Sequence, residues 1–329
     1  MCSSDLSLFQ FILQAWFVRR RGVIIRPAFN IFHPQIAEFL GLYLPLLAGI
    51  GIVQANKLVE SFFASFLGKG SISSIYFSER VIEFILGVFV VSFSTVTMTE
   101  FSHASREKNY KHCSVMLESV IRIVLFVTIP AACFIVIFSR QIIFTLFYYG
   151  KFTRFDAERT AAVLLFFGLS LVFIPVARMV KTVFYSFKDT KTPLKAAVFE
   201  LLLNIFFSML FMRHIGIRGI ALAFSLSSLA NLIFLLISLR ISLFKITYRR
   251  ILPSLASIAL SSFFMCAAGY CLVSFLGFTA EGAFVNRALM MVILAGSSIT
   301  VYIASAYFLK MKELTEIRVY LRKPHALPS

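Results

Sequence analysis

Apolar runs long enough to cross a bilayer recur along this chain, and they limit what it can fold into. "VLLFFGLSLVFIPVA" (163–177) is one of them, and it shows none of the in-out alternation of a barrel strand. About 20 apolar residues at 1.5 Å rise each span the ~30 Å hydrocarbon layer. In lipid every backbone N–H and C=O must find a partner within the protein, which a helix provides from its own segment. The chain is 59% hydrophobic and only 14% charged, against about 25% charged in soluble domains. It is therefore read as an all-α, polytopic membrane protein.

The pattern predicts a partial helix over Leu6–Val18 and eight full spans. These are Ile36–Leu67, Ile72–Glu100, Ser114–Ser139, Ala157–Tyr185, Leu194–Met212, Ile217–Leu239, Ile251–Leu276 and Phe284–Leu309. The segment "FSRQIIFTLFYYGKF" (138–152) is apolar but broken by Arg140 and Gly150, and reads as a helix end at the headgroup level. Three divisions follow: 1–35, a partial helix and loop; 36–239, a core lobe; and 240–329, a C-terminal helix pair with its tail.

Basic residues set the orientation. One alternating set of connections, from Arg19 to Lys323, holds 19 Lys and Arg, and the other, from Lys69 to Arg287, holds 7. The excess places the first set and the C-terminus in the cytoplasm. The net charge of +17 is thus mostly topology, and attraction to anionic membrane lipid is sufficient to explain it. Nucleic acid is not an expected partner, because the basic residues are spread over short loops rather than gathered on one face.

Charges within the spans carry more information. Arg122, Arg159 and Lys181 sit near enough to span ends to reach the interface. Lys57, Glu60, Glu79, Arg80 and Glu83 do not. At roughly 2.5–3.5 kcal/mol each, five lipid-facing charges would cost about 12–18 kcal/mol. They must pair or face water. In a structural reading, Lys57 pairs with Glu60 and Arg80 with Glu83, both at i,i+3. In a functional reading they line a hydrated cavity for a charged substrate. Glu79 and Glu83 share a helix face, and Ser71, Ser73, Ser74 and Ser78 extend it, which favours the cavity. Arg178 and Glu200 are further charges inside spans.

Enzyme chemistry has little support. Cys2, Cys113, Cys133, Cys266 and Cys271 show no metal spacing, and the histidines are scattered. No GxSxG, HExxH, P-loop or GxGxxG motif occurs. The basic run after Leu6–Val18 is in the wrong order for a cleaved signal.

Four stretches, in order, resemble the MurJ/MviN lipid II flippase family of the MOP exporter superfamily. They are "ASFLGKGSISSIYFSERVIEFILGVFVVSFSTV" (64–96), "LFYYGKFTRFDA" (146–157), "FYSFKDTKTPLK" (184–195) and "GIRGIALAFSLSSLANLIFLL" (216–236). The family has fourteen helices in two lobes. The resemblance implies that the eight spans are helices seven to fourteen and that the stub is the end of helix six, so the first lobe is missing. It also implies a multi-pass protein of the bacterial cytoplasmic (inner) membrane, a transporter and not an enzyme. Its cargo would be lipid II, a peptidoglycan precursor on undecaprenyl pyrophosphate, moved to the outer leaflet for cell wall synthesis. Residues 1–6 are read as an assembly artefact, since "CSSDL" is what the end of a common sequencing-library adapter encodes.

The resemblance also implies roles. Arg80 stands at the family's functional arginine of helix eight, with Glu79 at the acidic residue before it, and Arg178 at a usually basic position of helix ten. Arg80, Glu79, Glu83 and Arg178 are the expected substrate-binding residues, with Arg80 on the pyrophosphate. Some members hold a sodium ion in this lobe. Glu60 and Asn204 match two of its ligands, and Ser208 stands where an Asp is expected. Lys57 occupies a usually apolar position, where its ammonium could replace the ion. "KTVFYSF" departs from the family's small-and-proline pattern before "DTKTP". Two alternatives remain open: another MOP-superfamily exporter, of lipid-linked oligosaccharide or drugs, and a non-transporting membrane fragment.

Overall fold

The structure, a computed structural model, describes residues 2–20, 34–87, 91–107, 109–244, 251–277, 282, 284–314 and 316. Those residues are helical throughout apart from short connections, as the apolar runs require. The chain divides into two compact units, Met1–Tyr43 and Leu44–Ser329. The first contains α1 (Cys2–Arg20), which holds the predicted stub, and the opening turns of α2 (Pro34–Ser65). The second contains the rest of α2, then α3 (Ser71–Ile85), α4 (Val91–Arg106), α5 (Tyr110–Leu146), α6 (Arg154–Ser186) and α7 (Lys191–Ile215). It ends with α8 (Ile217–Ser242), α9 (Ile251–Leu276) and α10 (Phe284–Phe308).

Among the described residues, seven helices are long and apolar enough to cross a membrane: α2 and α5 to α10. The predicted span 72–100 falls on two helices, α3 of 15 residues and α4 of 16, with residues 88–90 between them lying outside the described residues. The segment 138–152, read as a helix end, carries the last turns of α5, past a kink at Phe138 (φ −105°, ψ 20°).

Local chemistry explains the boundaries. The Thr153 hydroxyl accepts from the Asp156 N–H (3.2 Å) while Asp156 accepts from the Thr153 N–H (3.2 Å), a reciprocal cap that opens α6. Asn109 accepts from the His112 N–H at 3.0 Å and opens α5. Before α7, Asp189 accepts from the N–H groups of Lys191 and Thr192, each at 3.0 Å. Gly216 joins α7 to α8 at φ 60° and ψ −136°, a conformation open to glycine. Three residues on, a Cβ at Gly219 would lie 2.5 Å from the Phe211 carbonyl oxygen, so α8 returns with its backbone against α7.

The core is built on α5 and α6, which pack along their length. Leu117, Ile143, Phe144, Leu164, Leu171 and Phe184 are fully buried there. α8 lies on α6, where the Ser225 hydroxyl donates to the Phe166 carbonyl at 2.7 Å. The α9–α10 pair is seated on α5, with the Tyr302 hydroxyl donating to the Phe126 carbonyl at 2.7 Å. Arg287, read from sequence as a loop charge, is buried and closes the end of α5 by donating to the carbonyls of Phe144 (2.6 Å) and Tyr148 (3.0 Å). Arg122 pairs with Glu313 (3.3 Å) and Glu316 (2.7 Å), just beyond the end of α10.

Candidate functional site

α3 lies against α6, and this contact decides which of its faces meets the interior. Ser71, Ser74, Ile75, Ser78 and Ile82 are its buried side. The Ser78 hydroxyl donates to the Thr160 carbonyl of α6 at 3.0 Å, and Ser74 receives the Arg159 Nε at 3.1 Å. The buried serines therefore bind helix to helix, and Ser73 is exposed. This corrects the expectation that they extend a cavity wall. Arg159 stays at the span end and ties down the α2–α3 turn, donating to the Lys69 carbonyl at 2.9 Å.

Beside this contact is a cavity of about 480 Å³. Lys57 and Glu60 reach it from α2, Glu79 and Glu83 from α3, Arg178 and Lys181 from α6, Glu200 from α7, and Ser228 and Asn231 from α8. The i,i+4 spacing of Glu79 and Glu83 is what brings both carboxyls to one side. Arg80 is not among the lining residues. It sits about 100° around the helix from Glu79, with half of its side chain exposed. Its Nη1 donates to Glu83 Oε2 at 2.7 Å and its guanidinium lies 4.6 Å from the centre of the Tyr76 ring. Arg80 therefore stands beside Glu83 at the edge of this cavity rather than in its lining.

Lys57 does not pair with Glu60. Its ammonium donates to Glu83 Oε1, so Glu83 is gripped by Lys57 on one oxygen and by Arg80 on the other. Glu60 is 1% exposed and belongs to a separate polar cluster. Asn204 donates to Asn56 Oδ1 (3.2 Å) and toward Glu60 Oε1 (3.5 Å), while its own Oδ1 accepts from Ser208 (3.3 Å). The Glu79 carboxyl lies against Glu60 from the cavity side.

The cluster contains the expected sodium ligands Glu60, Asn204 and Ser208, so its fit to an ion can be judged. A hard cation needs several converging oxygens that are free of donors. The Asn204 amide turns its N–H groups toward Asn56 and Glu60, the Ser208 hydroxyl is spent on Asn204, and one buried acceptor, Glu60 Oε2, has no donor among the described residues. This arrangement does not fit a sodium cage.

The opposite wall differs. Glu200, 8% exposed, accepts from the Ser228 hydroxyl (3.0 Å) and from the Asn231 amide (2.7 Å). Arg178 and Lys181, one turn apart on α6, line the cavity. Neither has an ion-pair partner within 4.0 Å among the described residues. The sequence reading placed Lys181 at a helix edge; in the fold it faces the interior. The lining thus combines three cations, Lys57, Arg178 and Lys181, with the carboxyls of Glu60, Glu79, Glu83 and Glu200.

Helices of membrane-spanning length packed around a charged interior cavity are the kind of architecture in which polytopic membrane proteins place functional ionisable groups. A family profile described as lipid II flippase MurJ matches residues 7–307. A probable lipid II flippase MurJ of Vibrio cholerae is 32% identical over 225 residues, 68% of this chain and 43% of that protein. One of Thermotoga maritima is 29% identical over 292 residues, 89% of this chain and 56% of that protein. A solved lipid II flippase MurJ in an inward closed conformation superimposes with a TM-score of 0.68 at 27% identity, over 91% of this chain and 60% of that one. An outward-facing multidrug resistance MATE family transporter of the MOP superfamily gives 0.54 at 18% identity, a likeness of fold alone. The chain belongs to the lipid II flippase MurJ family. It spans about half the length of these relatives.

Proposed function

We propose that this chain is the C-terminal lobe of a transporter that moves lipid II across the bacterial inner membrane for peptidoglycan synthesis. A first lobe would complete it, with the C-terminus in the cytoplasm. The observation that carries this reading is a cavity among membrane-length helices that presents Arg178 and Lys181 without ion-pair partners among the described residues, in a chain of this family. Unpaired cations suit the anionic head of a polyprenyl diphosphate sugar lipid. Alternating access would be rocking of this lobe against the first. Arg80 acts on the cargo through Glu83 and Lys57, while Glu79 and Glu83 limit the positive charge of the cavity.

Complementation tests the proposal. Cells depleted of their lipid II flippase should grow with the full-length gene from the native locus and lyse with this chain alone. Lysis with a full-length protein that reaches the membrane at normal abundance would overturn the reading. The four lining carboxyls support a second one, export of cationic compounds. It predicts raised tolerance of lipophilic cations in cells carrying the full-length gene, with no rescue of depletion.

A further inference from the structure

α5 is interrupted at Pro130 and at Phe138, and the C-terminal helix pair covers both points. Pro130 has no N–H to return to the carbonyl of Phe126, four residues back. The Tyr302 hydroxyl of α10 takes that carbonyl instead. At Phe138 the backbone leaves helical geometry, and the buried ring reaches α9 where Gly269 has no side chain. A Cβ at Gly269 would lie 2.7 Å from Phe138 Cζ. The small residue is what lets α9 close on the bend.

Cys133 lies between the two interruptions, and Cys266 stands one turn before Gly269 on α9. Their thiols meet across the α5–α9 joint. Both are free, Cys133 half-buried and Cys266 buried. Close helix approach at Gly269 is what a disulfide needs, because its geometry demands Cα atoms only about 4.4–6.8 Å apart. The pair is also deep. At 1.5 Å per residue the two cysteines are roughly 15–20 Å from the ends of their helices at Leu146 and Leu276. Both helices are of membrane-spanning length, so the matching oxidant is lipid-soluble rather than aqueous.

We propose that Cys133 and Cys266 are a redox modification site: an organic hydroperoxide dissolved in the bilayer oxidises them to a disulfide, which locks the bend of α5 against α9. The half-buried Cys133 sulfur attacks the peroxide and becomes a sulfenic acid. The O–O bond breaks, and the leaving oxygen takes the thiol proton and departs as an alcohol. The Cys266 sulfur then displaces the sulfenic oxygen, which leaves as water with the second thiol proton. Two thiols and one hydroperoxide thus give one disulfide, one alcohol and one water. The bond closes a long loop of chain, the case in which a disulfide stabilises most. This site does not depend on which cargo the cavity takes.

The test uses the full-length protein in nanodiscs, with cumene hydroperoxide as the oxidant. Peptide mapping should show Cys133 joined to Cys266, with Cys113 and Cys271 unlinked. Backbone hydrogen exchange around Phe138 should slow severalfold. The melting temperature, read from aggregation, should rise by several degrees. Dithiothreitol should reverse both changes. Cys133→Ser should abolish the link and both responses, and Cys266→Ala gives the same readout if the serine variant does not fold. Thiols that stay unlinked after treatment would overturn the proposal. So would a Cys133 that links to Cys271 or to a second molecule. A Cys133–Cys266 disulfide that leaves exchange around Phe138 unchanged would overturn the lock.

Discussion

Removing the Arg122 guanidinium should loosen the C-terminal helix pair from the core. Arg122 on α5 is 11% exposed at its side chain and faces Glu313 at 4% and Glu316 at 16%. Glu313 also takes the Ser254 hydroxyl of α9. One cation therefore holds together α5, α9 and the residues after α10. In Arg122→Met, the buried Glu313 and the half-buried Glu316 lose their only ion-pair partner among the described residues. Breaking a buried pair in this way costs about 3–5 kcal/mol. Glu316→Gln leaves Arg122 on Glu313 and should cost only about 1–2 kcal/mol. At roughly 2–4 °C per kcal/mol, Arg122→Met should lower the melting temperature by on the order of 10 °C. Unfolding can be followed with a thiol-reactive dye, because Cys113 and Cys266 are buried in the folded chain. Replacing all three groups, with Arg122→Met, Glu313→Gln and Glu316→Gln, should recover most of the loss, since no charge is then stranded. A single variant melting within 1 °C of wild type would refute the reasoning. So would a triple variant as unstable as the single.

Other outcomes follow from the same structure. Cysteines placed at Lys69 and Lys188 should differ in labelling by a membrane-impermeant thiol reagent in intact cells, with position 69 reactive and 188 protected; the reverse pattern would refute the topology. Exchanging sodium for choline should leave the melting temperature of the purified protein unchanged, because the Glu60–Asn204–Ser208 cluster is closed by its own hydrogen bonds; a sodium-dependent rise would show that the cluster opens to an ion. Gly219→Val should destabilise by about 1–3 kcal/mol through overpacking of α8 on α7, measured by the same dye assay.

Much of the architecture was legible because lipid imposes it. Apolar runs and the polar turns between them mark α5 to α10 to within a turn or two, apart from the extension of α5 beyond Ser139. The convergence of Lys57, Glu60, Glu79 and Glu83 followed from cost: such charges cannot face lipid, and helical spacing puts the two α3 carboxyls on one side. The Arg80–Glu83 pair followed from its i,i+3 spacing, but the other partners did not, because a sequence displays only neighbours three or four residues apart. Lys57 binds Glu83, 26 residues away, and Arg122 binds Glu313, 191 away. The serines of α3 were misread for a related reason. A polar stripe on a membrane helix can face water or another helix, and only the position of α6 decides which. Lys181 looked like an edge residue by its distance from the span end, yet its direction on α6 turns it inward.

The most direct test of the central claim is lipid II translocation by the full-length protein in proteoliposomes, read from the lipid accessible at the outer surface over time. The account predicts transport by the wild type. It predicts loss of transport in the Arg178→Met, Lys181→Met double variant, with normal membrane insertion and an undiminished melting temperature. Translocation by the double variant at the wild-type rate would contradict it.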